Sequence, residues 1–119
     1  MENLFVYGTL MKGMWNHNFI EKEKYIGDGK LINYGLYSVR TFPGIKEKTG
    51  AMVKGELYKI SSKTLKKIDK LEREGSLYSR KYVKLYHEGK ITKAHIYVWN
   101  SAVNSKDYVP YNVMPWEKV

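Results

Sequence analysis

One helix stands out from the pattern of apolar and polar positions along the chain. An apolar stripe recurs at helical spacing, and its members are Leu65, Ile68 and Leu71. At about 100° per residue they share one face, whereas the basic residues between 66 and 73 fall on the opposite side. Ser61 or Ser62 suits the N-terminal cap, and Gly75 suits the end. The pattern therefore predicts a helix from Ser61 or Ser62 to about Arg73 that packs by one face only.

The remaining apolar stretches are rich in β-branched and aromatic residues and are separated by turns, which is typical of strands. The predicted strands are residues 3–7, 25–30, 31–39, 51–60, 78–86 and 91–99. The last two form a hairpin through residues 87–90, and the first is expected to be central because it is short and apolar. Residues 41–44 are predicted as a turn, and residues 16–24 as a short helix capped by Asn16.

The final twenty residues contain Pro110 and Pro115 and show no clear period. We expect an irregular tail that packs through its apolar side chains. These are Tyr108, Tyr111, Val113 and Trp116. Few signs of strand–helix–strand alternation are present, so the elements favour a mixed α+β fold with a curled, mainly non-parallel sheet.

Length and composition narrow the class of protein. With 119 residues, the chain has the size of one domain, and we expect a single domain over residues 1–119. The absence of cysteine excludes disulfides, cysteine-ligated zinc and a thiolate nucleophile. No apolar run approaches the roughly 18 residues that span a bilayer, and residues 1–3 lack the basic flank of a signal peptide. We therefore expect a cytoplasmic protein with no membrane partner.

The charge balance is basic, with 21 Lys and Arg against 12 Asp and Glu and a net charge of +9. Such an excess attracts polyanions, although a lysine-rich solvated surface explains it as well. Aromatic residues and lysines alternate in residues 82–86, which suits a base-stacking platform. Cross-strand aromatic pairs of a hairpin are the favoured interpretation. We expect no specific nucleic-acid partner, and any such binding should be lost at moderate salt.

The most unusual position is Glu72. It follows Leu65 by seven residues and Ile68 by four, which puts it within about 40° of the apolar stripe. An unpaired buried carboxylate costs several kcal/mol, so Glu72 must find donors, stand in a cavity or become protonated with a raised pKa. A raised pKa suits an acid–base catalyst. The alternative is that Glu72 reaches solvent at the helix end or pairs with Arg80 or a lysine, and periodicity leaves both open.

A loop directly follows the first strand, with Tyr7, Gly8, Thr9 and Leu10 in sequence. A glycine after a buried strand permits a sharp turn, which leaves the N–H groups of Thr9 and Leu10 free to hold an anion such as a carboxylate. An ordinary turn is the alternative interpretation.

Tyr78 and Arg80 lie two residues apart at the start of the strand after the helix. Side chains at this spacing point to the same side of a strand, so a phenol and a guanidinium can converge on Glu72. A half-buried tyrosine beside a surface arginine is the alternative.

Other chemistries lack their motifs. The three histidines, His17, His87 and His95, do not have metal-site spacing. No serine occurs in G-x-S-x-G, and residues 27–30 are too short for a phosphate-binding loop. The sequence predicts neither a metal site nor nucleotide hydrolysis.

Several short motifs occur in a familiar order along the chain. They are FVYGTL at 5–10, GELY at 55–58, L-x-x-I-D-x-L-E at 65–72, Y-S-R at 78–80 and P-W at 115–116. Together they resemble the gamma-glutamylcyclotransferase-like superfamily, over nearly the whole chain. The short length is more similar to the gamma-glutamylamine cyclotransferase and BtrG-like branch.

The resemblance implies a fold and a reaction. The fold would be an α+β domain built on a small, mixed, mainly antiparallel β-barrel flanked by helices, with the cavity at the barrel mouth. Family enzymes cleave a γ-glutamyl amide when the substrate's α-amine attacks its own γ-carbonyl. The products are 5-oxoproline and a free amine, and no cofactor is needed. A non-catalytic barrel that binds a small carboxylate or single-stranded nucleic acid is the alternative function.

The resemblance also assigns residues. Glu72 matches the general acid/base, and the backbone of Gly8, Thr9 and Leu10 matches the loop that grips the glutamyl group. Three further residues complete the expected substrate-binding set, namely Tyr7, Tyr78 and Arg80. One position departs from the family, because Arg73 follows Glu72 where a glycine is usual. Arg73 would narrow the cavity or add charge near Glu72.

Overall fold

The computed structural model describes residues 1–116, which form six strands, one α-helix and three short 3₁₀ helices. The strands are β1 (Glu2–Val6), β2 (Lys24–Val39), β3 (Phe42–Ile60), β4 (Tyr78–His87), β5 (Lys90–Trp99) and β6 (Tyr108–Val109). The helix α1 is Ser62–Leu71, and the 3₁₀ helices are His17–Phe19, Ser105–Asp107 and Tyr111–Val113. No helix in this part of the chain is long and apolar enough to cross a membrane.

The strands form a ring-like sheet. Its order is β3-β1-β5-β4-β2, β2 pairs back to β3, and β6 adds to β2 at the outside. All pairs are antiparallel except β1 with β5. Two seams are thin, since Leu4 with His95 and Lys30 with Tyr86 are the residue pairs that join them. The expected α+β class and mainly antiparallel curled sheet are confirmed, with a ring held by these seams in place of a fully closed barrel.

The longest strands differ from their prediction. The stretches predicted as residues 25–30 and 31–39 are one continuous strand, β2, and β3 extends back to Phe42. The turn predicted at 41–44 is shorter, because Val39 pairs with Phe42 and only two residues lie between. Arg40, with φ 61°, supplies the left-handed conformation that this turn requires. Register shifts next to Gly27 and Tyr34 let these long strands bend around the ring.

The β4–β5 hairpin and the central position of β1 agree with the sequence. Glu88 and Gly89 form the two-residue turn, with φ of 50° and 73°. Two positive values in succession are typical of the type I′ turn that matches strand twist. β1 lies between β3 and β5, as expected for a short apolar strand.

The predictions for residues 16–24 and for the C-terminal tail were partly wrong. The helix predicted at 16–24 is a single 3₁₀ turn, His17–Phe19. Ile20 is fully buried but Phe19 is 37% exposed, so this segment lacks the fully buried apolar face that would hold a longer helix. In the tail, Trp116 is buried, but Val113 is 58% exposed and Met114 takes the core position instead.

The helix α1 begins and ends through specific backbone contacts. The Ser61 hydroxyl accepts a hydrogen bond from the Thr64 amide at 3.1 Å, which is an N-terminal cap. Leu65 and Ile68 are buried in the core. At the other end the Glu74 amide donates to the Asp69 carbonyl (2.9 Å). Together with the bond from the Arg73 amide to the Lys70 carbonyl (3.2 Å), this forms a Schellman motif.

Arg73, and not the expected Gly75, terminates α1. It adopts φ 51°, which costs an L-residue about 1 to 2 kcal/mol and costs glycine nothing. This left-handed conformation explains why glycine suits the position after Glu72 in the family that the chain resembles. Arg73 is exposed and lies outside the cavity lining described below, so the expectation that it narrows the cavity was wrong.

Arg73→Gly should raise the free energy of unfolding by about 0.5 to 1 kcal/mol. Glycine removes the left-handed strain at the end of the helix, but its greater backbone entropy in the unfolded chain offsets part of that gain. Urea denaturation of both proteins measures the difference. Arg73→Ala is the control, since it removes the same charge but keeps a Cβ and the strain. Equal stabilities of the Gly and Ala variants would contradict this explanation.

Candidate active site

A cavity of about 210 Å³ opens where the end of β1, the start of β3 and the end of α1 meet. Its walls come from residues 5–10, 41–43, 71–72 and 77–78, with Trp15, Asn16 and Tyr97. Ligand sites for drug-sized molecules occupy about 300 to 1,000 Å³. The volume therefore suits a smaller molecule, on the scale of an amino acid.

Glu72 is the acidic residue among the described residues that line this cavity. It is the C-terminal cap residue of α1 and is more than half buried, as its helical phase predicts. Burial raises the pKa of Glu72 to about 7, and no charged or hydrogen-bonding partner within residues 1–116 offsets it. A carboxyl with this pKa exchanges a proton readily near neutral pH. The alternative pairing with Arg80 does not occur, because Arg80 binds Asp69.

The loop after β1 also borders the cavity. The ladder of β1 with β3 ends at Val6, and Thr9 and Leu10 both line the cavity. Over residues 1–116, the amides of Thr9 and Leu10 donate no backbone hydrogen bond, although the loop carbonyls accept bonds. The Thr9 carbonyl accepts from the Asn16 amide at 3.0 Å, which holds the loop in place. The two amides therefore remain available for a ligand anion.

Gly8 is required here for a reason that the sequence did not indicate. The expected turn is present, since the Met11 amide donates to the Gly8 carbonyl at 3.0 Å. The φ of Gly8 is not left-handed, so this turn does not itself require glycine. A Cβ at Gly8 would lie 2.5 Å from Cγ of Pro43. Glycine thus permits the close approach of the loop to the start of β3, and this contact brings two walls of the cavity together.

Gly8→Ala should lower the free energy of unfolding by about 1 to 3 kcal/mol, the usual cost of overpacking against a rigid ring. Chemical denaturation measures the loss. Adding Pro43→Ala removes the opposing ring, so the double variant should recover part of the stability. A double variant whose losses simply add would contradict a direct Gly8–Pro43 contact.

Three tyrosines line the cavity, and each hydroxyl already donates to the protein. Tyr7 donates to the Tyr97 carbonyl (2.7 Å), Tyr78 to the Pro43 carbonyl (2.8 Å) and Tyr97 to Asp69 Oδ1 (2.7 Å). Burial raises the pKa of all three phenols, so they stay protonated near neutral pH. Each oxygen can therefore only accept a hydrogen bond from a ligand, as from an ammonium group.

The structure brings together most, but not all, of the residues singled out from the sequence. Tyr78 shares the cavity with Glu72, whereas Arg80 is not part of its described lining. The Arg80 Nε lies 2.8 Å from Asp69 Oδ1, so the arginine faces the side of α1 and not Glu72. Sequence spacing missed Tyr97, which lines the cavity and which the β4–β5 ladder places opposite Arg80, two residues along β4 from Tyr78. That cross-strand register is not visible from spacing within one strand.

Comparisons with known proteins find one family of similar sequences. The family model described as gamma-glutamyl cyclotransferase, AIG2-like, matches residues 4–118. The protein MJ1514 of Methanocaldococcus jannaschii, named provisionally as a gamma-glutamylcyclotransferase, is 40% identical over 93% of this chain and 98% of its own. The gamma-L-glutamyl-butirosin B gamma-glutamyl cyclotransferase of Niallia circulans is 30% identical over 99% of this chain and 77% of its own.

Solved structures share the fold. An AIG2-like protein from Mus musculus superimposes with a TM-score of 0.76 at 23% identity, covering 93% of this chain and 85% of that one. The protein PH0828 from Pyrococcus horikoshii gives a TM-score of 0.74 at 26% identity, covering 92% of this chain and 86% of that one.

Proposed function

Because this chain belongs to the gamma-glutamyl cyclotransferase, AIG2-like family, we propose that it cleaves a γ-glutamyl amide and releases 5-oxoproline and a free amine. Relatives named for this activity identify it as a cyclotransferase-type enzyme. The observation that carries the proposed reaction is Glu72, a partly buried carboxyl with a pKa of about 7. It shares one cavity with Thr9 and Leu10, whose amides donate no backbone hydrogen bond within the described part of the chain.

The proposed reaction moves two protons from the α-nitrogen to the leaving nitrogen and exchanges one C–N bond for another. The substrate's α-ammonium gives a proton to Glu72, and the freed amine attacks the γ-carbonyl carbon. A new C–N bond closes the five-membered ring, and the original amide C–N bond breaks. Glu72 then returns this proton to the leaving nitrogen as the amide bond breaks. It also takes the second proton that the ring nitrogen loses on becoming a lactam and passes it on, so that the amine leaves as an ammonium and Glu72 is again a carboxylate. Because nucleophile and carbonyl belong to one molecule, holding the substrate in a folded shape supplies much of the rate.

The residues of the cavity have distinct proposed roles in substrate binding. The Thr9 and Leu10 amides hold the α-carboxylate, since backbone N–H groups in a loop bind anions. The hydroxyl oxygens of Tyr7 and Tyr78, whose protons are already donated, accept from the α-ammonium before it loses its proton. This arrangement would place the attacking nitrogen on the side of Glu72.

The described lining of the cavity contains no lysine or arginine. The loop amides can donate hydrogen bonds to one carboxylate. The second carboxylate of a γ-glutamyl amino acid would then enter with neither these donors nor a cation of the described lining to face it. A γ-glutamyl amine carries only the α-carboxylate. The cavity therefore favours γ-glutamyl amines over γ-glutamyl amino acids.

The test is release of 5-oxoproline from a panel of γ-glutamyl amines and γ-glutamyl amino acids, followed by mass spectrometry. We expect 5-oxoproline in amounts equal to the free amine, with a higher kcat/KM for the amines. An N-acetylated γ-glutamyl amine is the matched control, because it has no nucleophilic α-amine and must remain intact. Release of glutamate in place of 5-oxoproline would contradict the proposal, as would saturable binding without product.

A further inference from the structure

A chain of polar contacts joins α1 to the strands beside the cavity. Asp69 lies three residues before Glu72, and its Oδ1 accepts from Arg80 Nε at 2.8 Å and from the Tyr97 hydroxyl at 2.7 Å. Arg80 belongs to β4 and Tyr97 to β5. One carboxylate oxygen therefore ties the last turn of the helix to both strands of the hairpin.

The contacts continue across the sheet to β1. Arg80 Nη1 lies 2.9 Å from His95 Nδ1, and His95 Nε2 lies 2.9 Å from Glu2 Oε1. A guanidinium can only donate, so His95 Nδ1 accepts and Nε2 carries the proton that it donates to Glu2. The Asp69 and Arg80 side chains are only 22% and 30% exposed. Pairs shielded in this way hold their geometry better than fully exposed ones.

The backbone at the end of α1 depends on the same residues. The Asp69 carbonyl accepts from the Glu74 amide at 2.9 Å, which closes the turn that contains Glu72. The Glu74 carboxylate accepts from the Arg80 amide at 3.3 Å. The side chain and the carbonyl of Asp69 thus act on the segment that presents Glu72 to the cavity.

We propose that Asp69 and Arg80 are positioning residues, whose ion pair holds the end of α1 against β4 and β5 and so keeps Glu72 in the cavity. Neither residue lines the cavity, so each acts through Glu72. The kinetic consequence rests on the proposed cyclotransferase reaction, whereas the placement of Glu72 does not.

The kinetic test uses Asp69→Asn and Arg80→Gln, each of which removes one charge from the pair. We expect kcat to fall about 10- to 100-fold, the effect of displacing a reacting group by about 1 Å. KM should change little, because the loop of Thr9 and Leu10 is untouched. Glu47→Gln is the control. It also removes one charge from an ion pair, but this pair, Lys81–Glu47 (3.8 Å), is exposed. Unchanged kcat in both test variants would overturn the proposal.

A second readout does not require turnover. Carbon-13 NMR titration of the Glu72 carboxyl should show its pKa falling from about 7 towards the ordinary range in both variants, because the released helix end admits water. If the two charges acted on Glu72 only through their electric field, the two variants would shift the pKa of Glu72 in opposite directions. Asp69→Asn removes a negative charge, whereas Arg80→Gln removes a positive one. Opposite shifts would overturn positioning as the mechanism.

A further variant and the titration distinguish failure of the positioning proposal from a variant that does not fold and from failure of the proposed function. Tyr97→Phe removes one hydrogen bond to Asp69 but keeps the ring and both charges. If a charge variant does not fold, Tyr97→Phe takes its place, and the pKa of Glu72 should again fall. If the wild-type protein releases no 5-oxoproline, the proposed function fails, but the titration of Glu72 still decides whether Asp69 and Arg80 position it.

Discussion

Glu72→Gln should lower kcat by about 10² to 10⁴, the range lost when general acid–base catalysis is removed. The amide keeps the shape of the carboxyl group but cannot take a proton from the attacking ammonium. KM should stay close to the wild-type value, because the Thr9 and Leu10 amides and the tyrosines that line the cavity are unchanged. Steady-state release of 5-oxoproline from a γ-glutamyl amine measures both parameters.

Glu21→Gln is the matched control for this variant, because it removes the same charge from an exposed carboxylate outside the described cavity lining. Its kcat should equal that of the wild type. A Glu72→Gln protein with near-wild-type kcat would show that Glu72 is structural and would end its assignment as acid/base.

The same substitution should stabilise the fold above pH 7 by up to about 3 kcal/mol. In the folded protein the pKa of Glu72 is about 7, against 4.5 for an ordinary glutamate. Each pKa unit corresponds to about 1.4 kcal/mol. Below about pH 4.5 the carboxyl is protonated in both folded and unfolded chains, and no penalty exists. Between these values the unfolded chain ionises first, so the wild type loses stability as pH rises towards 7.

Urea denaturation of the wild type and Glu72→Gln at pH 4 and pH 8 checks this linkage. Equal stabilities are expected at pH 4 and a more stable variant at pH 8. The tyrosines beside Glu72 do not complicate this range, since burial raises their pKa values and keeps them neutral. Glu21→Gln should show no such pH-dependent difference. A difference for Glu72→Gln that is the same at both pH values would contradict a raised pKa.

The loss of turnover and the gain of stability expected for Glu72→Gln would have the same cause. A carboxyl that is largely buried destabilises the folded chain when it ionises, and the same burial gives it a pKa suited to proton transfer. A gain in stability together with a loss of turnover is the pattern expected where a functional group stands in an unfavourable environment.

Local sequence signals identified the parts of the fold that depend on neighbours along the chain. The spacing of Leu65 and Ile68 placed α1, and the same periodicity placed Glu72 on its inward side. The β4–β5 hairpin followed from its short turn, where Glu88 and Gly89 adopt the conformation that such turns need. Each of these features is set by backbone preferences and periodicity within about ten residues.

The tertiary structure alone decided which distant residues meet. The contact of Gly8 with Pro43 joins segments far apart in sequence. The attachment of Arg80 to Asp69 joins a strand to the helix before it, and the continuity of β2 accompanies its long pairing with β3. Arg80 illustrates the difference, because its position two residues after Tyr78 is local but its partner depends on how α1 lies across the sheet. Spacing along one strand gives the side on which a residue points. It does not give the neighbouring element, since strand register and helix docking are set by packing of the whole core.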